Sequence, residues 1–381
     1  MSDFFQSGLI STLHRLRPEA LSQLTPRNGY RIGVLIPCHW NELKTPALHQ
    51  IREILDSVEW AAEIIVSING GPANAEQEAL RFWSMSRVEP HLLWNDRSSF
   101  LDQLRRRGIE PESGKGFNLW SGVGYALNQL ELSALVIHDA DIRNYSSDLP
   151  VALIQPLAAL GYRFCKGYYS RVQKQLYGRV TRLFLIPLIR ALIRTLGHHP
   201  LLDFIDSFRY PLAGETALDL DLAKRLPVGN GWGVEIDWLC EVHRLIEPAV
   251  VCQVDLAMRY EHKHQVLDPR QPNRGLLRMA RDIGITVLAQ LGRDGFRCDA
   301  ATLAAVQLGF ELTAADFVRR YADVAQLNRI SFDEAAEKNT VDTFASVLRE
   351  TAKEFLAGTR PRVLPAWSQI DEPRQISFPV G

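Results

Sequence analysis

The 381-residue sequence has few cysteines and no pairing pattern among them. Their number is odd, they are scattered, and no C-x-x-C motif occurs, so neither a disulfide framework nor a zinc site is expected. The N-terminus lacks a basic stretch followed by an apolar run, and no signal peptide is predicted. A reducing, cytoplasmic environment fits both absences. The five cysteines are Cys38, Cys165, Cys240, Cys252 and Cys298.

An excess of charge of one sign is also missing. The formal net charge is -1, from 43 basic and 44 acidic side chains. A dedicated nucleic-acid binder normally carries a large basic excess, so that class of partner is disfavoured. The most apolar stretch, residues 183–189, contains Pro187 and is too short to span a bilayer. No integral membrane segment is therefore predicted, and we find no internal repeat and no Walker A loop.

Short apolar strands alternate with amphipathic helices in the first third of the chain. The strands are predicted at residues 31–37, 63–68, 91–94 and 134–137. This order is typical of an α/β protein with a mostly parallel sheet flanked by helices. Ligands of such folds bind in the loops at the carboxyl ends of the strands. Here those loops are 37–42, 69–71, 95–96 and 139–141.

Two carboxylates directly follow the fourth strand. Asp139 and Asp141 are two residues apart, separated by Ala140, so both can leave the strand end and converge on one point. Paired carboxylates at this position can hold a divalent cation together with a charged ligand. The same short pattern also fits a polar loop that caps a following helix, and the motif alone does not separate the two.

A glycine-rich segment with a lysine opens the helix predicted near residues 117–130. Lys115 lies between Gly114 and Gly116, directly before the apolar helix. Backbone amides, a lysine and a helix N-terminus together can bind an anion. The alternative is a flexible turn with a solvated lysine.

Residues 171–194 are strongly basic and almost free of acidic residues. We predict a packed helix that presents arginines to an anionic substrate, and the alternative is a helix that lies on a membrane surface. The motif Gly178-Arg179-Val180-Thr181 lies inside this run. The basic residues are Arg171, Lys174, Arg179, Arg182, Arg190 and Arg194.

Two later segments combine glycine, an aromatic residue and a carboxylate, at residues 208–215 and 230–235. Glu235 heads a predicted helix, 235–245, where a carboxylate at the N-terminus also stabilises the helix itself.

A strand predicted at 250–258 leads into Arg259, His262 and His264. A histidine of this segment is a candidate third protein ligand for a cation held by Asp139 and Asp141.

Taken in order, these motifs resemble a GT-A glycosyltransferase, and more closely the glucosyl-3-phosphoglycerate synthase family. The resemblance covers about residues 30 to 270. It rests on Gly114-Lys-Gly116, Asp139-Ala-Asp141, Gly178-Arg-Val-Thr181, Pro211-Leu-Ala-Gly-Glu215, Gly231-Trp-Gly-Val-Glu235 and the His262 segment.

The resemblance implies a fold and a division of the chain. It implies a GT-A, Rossmann-like fold with a helical C-terminal extension. We expect a helical leader at 1–29, a nucleotide-sugar-binding half at 30–145, an acceptor-binding half at 146–270, and a helical region with a tail at 271–381. A capping box is predicted at 331–334, and the tail from Pro361 is expected either to be loosely ordered or to dock on the body or on a partner chain.

The resemblance also implies the roles of the site residues. Glu235 and Asp141 are the implied catalytic residues, and Asp141, His262 and Asp139 are the implied ligands of Mg²⁺ or Mn²⁺. The implied donor-binding residues are Pro37, Cys38, Glu42, Ser67, Asn69, Lys115, Asp139 and Ala140. The implied acceptor-binding residues are Gly178, Arg179, Val180, Thr181, Arg259 and His264.

The implied reaction is retaining transfer of glucose from a nucleoside-diphosphate sugar, UDP-glucose first, to the 2-hydroxyl of 3-phosphoglycerate. A homodimer is implied as well. Cys38-His-Trp stands where small residues are usual, which leaves a GDP-linked or mannosyl donor open. An extra residue in the segment 259–264 leaves His262 and His264 as alternative metal ligands. The acceptor could instead be free glycerate or another compound. Two other classes of protein stay open: a membrane-associated binding protein that uses residues 171–194, and a nucleotidyltransferase.

Overall fold

The computed structural model describes residues 6, 8–16, 29–72, 75–172, 174–257, 267–268, 270–271 and 273–381. Its strands are β1 (Ser11–Leu13), β2 (Ile32–His39), β3 (Ala61–Asn69), β4 (His91–Trp94), β5 (Ala134–Ile137), β6 (Phe164–Tyr169), β7 (Thr216–Asp219), β8 (Val228–Gly229), β9 (Val251–Ala257) and β10 (Val363–Leu364). Its helices are α1 (Pro46–Leu55), α2 (Ala75–Trp83), α3 (Ser98–Arg106), α4 (Lys115–Gln129), α5 (Asp148–Leu160), α6 (Ile186–Leu196), α7 (Pro200–Asp206), α8 (Leu220–Arg225), α9 (Val234–Leu245), α10 (Gly275–Arg293), α11 (Ala300–Leu327) and α12 (Glu334–Leu356).

Eight strands form one mixed sheet in the order β1-β9-β6-β7-β5-β2-β3-β4. β7 runs antiparallel to β5 and β6, and the other neighbouring pairs are parallel. Helices cover both faces, so alternate residues of one strand enter different cores. Leu35 packs in the core that contains α4, whereas Val34 and Ile36 pack in the core that contains α1 and α5. This is why β2 reads as a nearly continuous apolar run, and the predicted α/β class is confirmed.

The four strands predicted from hydrophobic runs are all present. β4 and β5 have the predicted bounds, while β2 and β3 extend to His39 and Asn69. β2 lies between β3 and β5 and is parallel to both, so the carboxyl ends of the three strands meet at one edge of the sheet. The predicted ligand loops therefore lie side by side.

The predicted helical leader is wrong where the structure describes it. Residues 11–13 form β1, which pairs in parallel with β9 in the register Ser11 to Cys252. Ile10, just before this strand, is buried. The open edge of β9 offers backbone hydrogen-bond partners that a solvated helix would not have, and this long-range pairing outweighs the local pattern. The other leader residues, 1–5, 7 and 17–28, lie outside the described residues.

The C-terminal region is helical, as predicted, and packs on the sheet domain through α6 and α10. α11 is long and apolar enough, by length and composition alone, to cross a membrane, so the absence of an integral membrane segment stays a prediction. It packs on α6 and α12, and Val306, Phe310 and Ala314 are buried there. Leu308 and Leu312 of the same helix are about 60% exposed. The homodimer remains a prediction, and these residues are one candidate surface for it.

The start of α12 differs from the predicted capping box. Asp333 caps the helix by accepting a hydrogen bond from the backbone amide of Ala336 at 2.9 Å. Ser331 instead pairs with Gln175, and its amide donates to the carbonyl of Lys174 at 3.2 Å. The segment before α12 is thereby tied to the basic run that begins at Arg171.

The C-terminal tail docks on the body, one of the two outcomes predicted for it. β10 pairs antiparallel with β8, and the amide of Asn230 donates to the carbonyl of Arg362 at 2.9 Å. Further on, the carbonyl of Pro379 accepts from the amide of Trp94 at 2.8 Å. The tail therefore contacts both β8, which leads into the 230–235 loop, and the outer strand of the sheet.

Candidate active site

A cavity of about 810 Å³ opens at the carboxyl edge of the sheet. It is bounded on one side by the strand ends of β2, β3 and β5 and on the other by residues 171–181 and 210–235. Most of the predicted site residues meet there. Those that line it are Pro37, Glu42, Asn69, Lys115, Asp139, Ala140, Asp141, Gly178, Arg179, Val180, Thr181 and Glu235.

Cys38 and Ser67, two of the predicted donor-binding residues, do not line this cavity, and their role in binding the donor stays a prediction. Both belong to fully buried parts of β2 and β3. Burial, with the negative charges of Glu42 and Asp141 adding to it, raises the pKa of the Cys38 thiol. The hydroxyl of Ser67 accepts a hydrogen bond from the Asn95 amide at 2.8 Å, behind the cavity wall.

A network of amide side chains joins the strand ends. Asn118 of α4 donates to the carbonyl of Cys38 at 2.9 Å and accepts from Asn95 at 2.7 Å. Asn69 donates to the carbonyl of Gly114 at 3.1 Å. Hydrogen bonds between buried amides hold a backbone in one arrangement. The network thus ties the lysine loop to the ends of three neighbouring strands.

Lys115 stands between two carboxylates that are far apart in sequence. Its ammonium lies 2.5 Å from Asp139 Oδ1 and 2.9 Å from Glu235 Oε1. Burial opposes the charged form, but Asp139 and Glu235 outweigh it and hold the Lys115 pKa above its usual value. A solvated lysine in a flexible turn, the alternative interpretation, does not describe this contact. The ammonium is a fixed charge that joins the first carboxylate loop to the start of α9.

Gly214 allows this cluster to form. A Cβ atom at this position would lie 2.6 Å from both Asp139 Oδ2 and Lys115 Nζ. Any side chain would therefore displace the ion pair, which explains the glycine of the Pro211–Glu215 motif. Next to it, Glu215 is buried and accepts a hydrogen bond from the Tyr169 hydroxyl at 2.8 Å.

Asp141 lies where negative charges crowd together. Burial, and then the charges of Asp139, Glu42 and Glu215, raise its pKa to about 7, while Lys115 opposes the rise. Carboxylate oxygens that crowd in this way suit a hard divalent cation, which would offset their repulsion. The residues present thus fit the predicted metal in the chemistry of their donors.

The third predicted ligand falls outside the described residues. Arg259, His262 and His264 lie in the gap 258–266, so the choice between the two histidines stays open. In the part of the chain that is described, no three His, Cys, Asp or Glu side chains are arranged to hold a metal ion. Of the three predicted ligands, the structure describes only Asp139 and Asp141.

The basic run is paired with carboxylates from other elements. Glu337 of α12 accepts from Arg179 Nε at 3.0 Å and from Arg182 Nη2 at 2.8 Å, and Asp206 accepts from Arg190 at 3.1 Å. The run forms a π-helical turn, Val180–Leu185, followed by α6, and both are largely buried. These contacts favour the packed helix over a helix lying on a membrane surface.

Several residues at the cavity were not predicted. Asn118, Tyr210 and Trp232 line it, and Arg171 was noted only for its charge. Arg171 Nη1 donates to the Tyr210 hydroxyl at 3.5 Å, and Trp232 is about one-third exposed at the mouth. The signal for Tyr210 and Trp232 was their place inside the glycine-aromatic-carboxylate segments. Asn118 carried no signal, because a polar residue in an apolar helix is common.

The chain is similar along most of its length to known proteins, although no protein-family model matches it. Glucosyl-3-phosphoglycerate synthase of Persephonella marina is 34% identical over 367 residues, which cover 93% of this chain and 91% of that protein. A crystal structure of glucosyl-3-phosphoglycerate synthase from Mycobacterium tuberculosis with Mg²⁺ and UDP has a TM-score of 0.55 and 26% identity, covering 74% of this chain and 87% of that one. Another from that organism, with Mn²⁺, UDP-glucose and phosphoglyceric acid, has a TM-score of 0.54 and 26% identity, covering 74% and 88%.

These likenesses agree with the ordered motifs and with the architecture described above. The mostly parallel sheet flanked by helices, with a helical C-terminal region, is the predicted GT-A fold, and the assignment as a glycosyltransferase is confirmed. The chain belongs to the glucosyl-3-phosphoglycerate synthase family.

Proposed function

We propose that this enzyme transfers glucose from UDP-glucose to the 2-hydroxyl of 3-phosphoglycerate, with retention at the anomeric carbon and with Mg²⁺ or Mn²⁺ as cofactor. The observation that carries the proposal is that one cavity holds both the Asp139–Lys115–Glu235 cluster and the Arg179–Thr181 motif. A carboxylate cluster suits a metal-bound diphosphate, and a guanidinium suits an acceptor with a carboxylate and a phosphate.

The donor is proposed to lie along the strand ends. Pro37, Glu42 and Asn69 line the cavity there and would contact the base and the ribose. Lys115, held by Asp139 and Glu235, would face the diphosphate and the sugar. His39, the last residue of β2, also lines the cavity, at a position where small residues are usual, and a preference for a donor other than UDP-glucose would arise there.

The acceptor is proposed to lie opposite, against residues 178–181. Arg179 and Thr181 would bind its phosphate and carboxylate, because a guanidinium pairs with either group through two hydrogen bonds. Arg171 also lines this side of the cavity and adds positive charge. The basic run 171–194 would thus serve to bind the anionic acceptor.

The chain's own groups would prepare the reaction rather than form a covalent intermediate. Asp141, with Asp139 and the predicted His262, would hold the cation, which neutralises charge on the departing diphosphate. Lys115 fixes the direction of Glu235 toward the sugar through their 2.9 Å contact. The acceptor oxygen would bond to the anomeric carbon on the face from which the diphosphate leaves. The hydroxyl proton would pass to the departing phosphate oxygen, which preserves the anomeric configuration.

The proposal is tested by UDP release from a panel of nucleotide sugars, with 3-phosphoglycerate or free glycerate, in the presence of Mg²⁺ or of EDTA. We expect release with UDP-glucose and 3-phosphoglycerate, and its loss in EDTA. Arg179→Ala should raise the KM for 3-phosphoglycerate by about 10- to 100-fold, since hydrogen bonds to charged groups contribute about 1.5–3 kcal/mol each. Arg190→Ala is the matched control, because Arg190 belongs to the same run but does not line the cavity. No UDP release from any donor with 3-phosphoglycerate would overturn the proposal.

A further inference from the structure

We propose that Glu337, on a C-terminal helix with no predicted role in the reaction, is a positioning residue that orients Arg179 for the anionic acceptor. The inference rests on the proposed function, because it assigns to Arg179 the binding of 3-phosphoglycerate. It extends the acceptor site to α12, more than 150 residues further along the chain.

Glu337 is a buried carboxylate shared by two guanidinium groups. It is only 4% exposed. Oε1 accepts from Arg179 Nε at 3.0 Å, and Oε2 accepts from Arg182 Nη2 at 2.8 Å. One carboxylate thus pairs with two guanidinium groups, and the three side chains form one unit with a net charge of +1.

The contact with Glu337 uses only one edge of the Arg179 guanidinium. The bond is made by Nε, and no hydrogen bond from either terminal nitrogen to another described residue is found. Arg179 lines the cavity, and its side chain is 30% exposed. The edge formed by Nη1 and Nη2, the one that pairs with a carboxylate or phosphate through two parallel bonds, thus remains for a ligand. A long arginine side chain held at Nε loses less conformational entropy when it binds that ligand.

Arg182 connects the same carboxylate to the backbone before the motif. Its Nε donates to the carbonyl of Tyr177 at 2.8 Å, and its guanidinium lies over the ring of Tyr321 at 4.6 Å. Arg182 faces the core and is mostly buried, whereas Arg179 faces the cavity. A purely structural ion pair would need only Arg182. The second bond, to Arg179, is the one that a role in acceptor binding explains.

The test is a double-mutant cycle measured by UDP release at varied 3-phosphoglycerate and at varied UDP-glucose. Glu337→Gln keeps the shape of the side chain and removes its charge. We expect it to raise the KM for 3-phosphoglycerate about tenfold, with kcat and the KM for UDP-glucose within about twofold. In the Arg179→Ala background, Glu337→Gln should change the acceptor KM by less than about twofold, because the residue through which it acts is gone.

Glu241→Gln is the matched control. Glu241 is also buried and is also shared by two arginines, Arg244 and Arg293, but it does not line the cavity. It should lower the melting temperature as Glu337→Gln does, and leave the acceptor KM unchanged. If Glu337→Gln alone does not fold, the test is repeated in an Arg182→Met background. The single variant Arg182→Met is then compared with the double variant Arg182→Met/Glu337→Gln, because neither leaves a buried Arg182 guanidinium without its carboxylate partner. The tenfold rise in acceptor KM is then expected between these two.

The outcomes separate the inference from the function on which it rests. Equal effects of Glu337→Gln with and without Arg179, or a loss of stability with an unchanged acceptor KM, would overturn the positioning role alone. If Arg179→Ala itself leaves the acceptor KM unchanged, the proposed acceptor site is wrong and the role of Glu337 is overturned with it.

Discussion

The indole rings of Trp120 and Trp367 stack with their centroids 4.3 Å apart. The Trp120 ring nitrogen donates to the carbonyl of Pro365 at 2.8 Å, and that of Trp367 donates to the carbonyl of Trp120 at 2.9 Å. Trp120 lies on α4, the helix that begins with Lys115. The C-terminal tail therefore covers the helix that presents a central charge of the site.

Trp367→Ala should destabilise the protein by about 3–5 kcal/mol, because it removes a fully buried indole and leaves a cavity over α4. The measurement is the free energy of unfolding in urea, followed by circular dichroism. Leu327→Ala is the control, since Leu327 is 84% exposed and its loss should cost less than about 0.5 kcal/mol. Similar losses for both variants would show that the docked tail does not contribute to stability.

Gly124→Ala should lower the free energy of unfolding as Trp367→Ala does, because a Cβ at position 124 would lie 1.9 Å from the Trp367 ring.

Lys115→Met should lower kcat/KM for UDP-glucose by about 100-fold or more, in the range found when one charge-stabilising donor is removed. The variant leaves Asp139 and Glu235 facing each other without the ammonium that joins them at 2.5 and 2.9 Å. UDP release measures the effect. Lys338→Met, at an exposed lysine of α12, should behave as the wild type. A fall of less than about fivefold would mean that the cluster is structural only.

Lys166 should give the protein an unusual dependence of stability on pH. It lies on β6, is 2% exposed, and donates to the carbonyl of Ala213 at 2.7 Å. Burial lowers its pKa from 10.5 to about 8, although Glu235, Glu215 and Asp139 oppose the change. Between these two values the unfolded chain binds a proton that the folded chain has lost, so the free energy of unfolding rises with pH.

The measurement is urea unfolding of the wild type and of Lys166→Met at pH 8 and pH 10. Relative to the variant, the wild type should gain about 2 kcal/mol over this range, at about 1.4 kcal/mol per pKa unit. Parallel curves for the two proteins would show that Lys166 titrates normally. The exposed Lys338→Met should give a curve parallel to that of the wild type.

The local elements of the fold could be predicted because their signals are local. The apolar runs at β4 and β5 predicted the bounds of these strands, and the two aspartates after β5 predicted one half of the candidate site. The leader was predicted as a helix and contains β1, because a three-residue strand is decided by the free edge of β9 and not by its own pattern. The same holds for the tail, which docks through the aromatic surface of α4 and through backbone pairing with β8 and β4, all distant from it in sequence.

The sequence by itself determined which chemistry the chain carries: a series of apolar strands that end in carboxylates and amides, a lysine at a helix start, and several arginines within the basic run 171–194. These depend on residue type and on spacings of a few residues. The tertiary structure alone decided the pairings: Lys115 with Glu235, Glu337 with Arg179, and Trp120 with Trp367. Such contacts join residues more than a hundred positions apart. Their geometry follows from how the sheet, α9, α12 and the tail pack together, and no local pattern encodes that. The two aspartates thus became part of a site only when α9 brought Glu235 to Lys115.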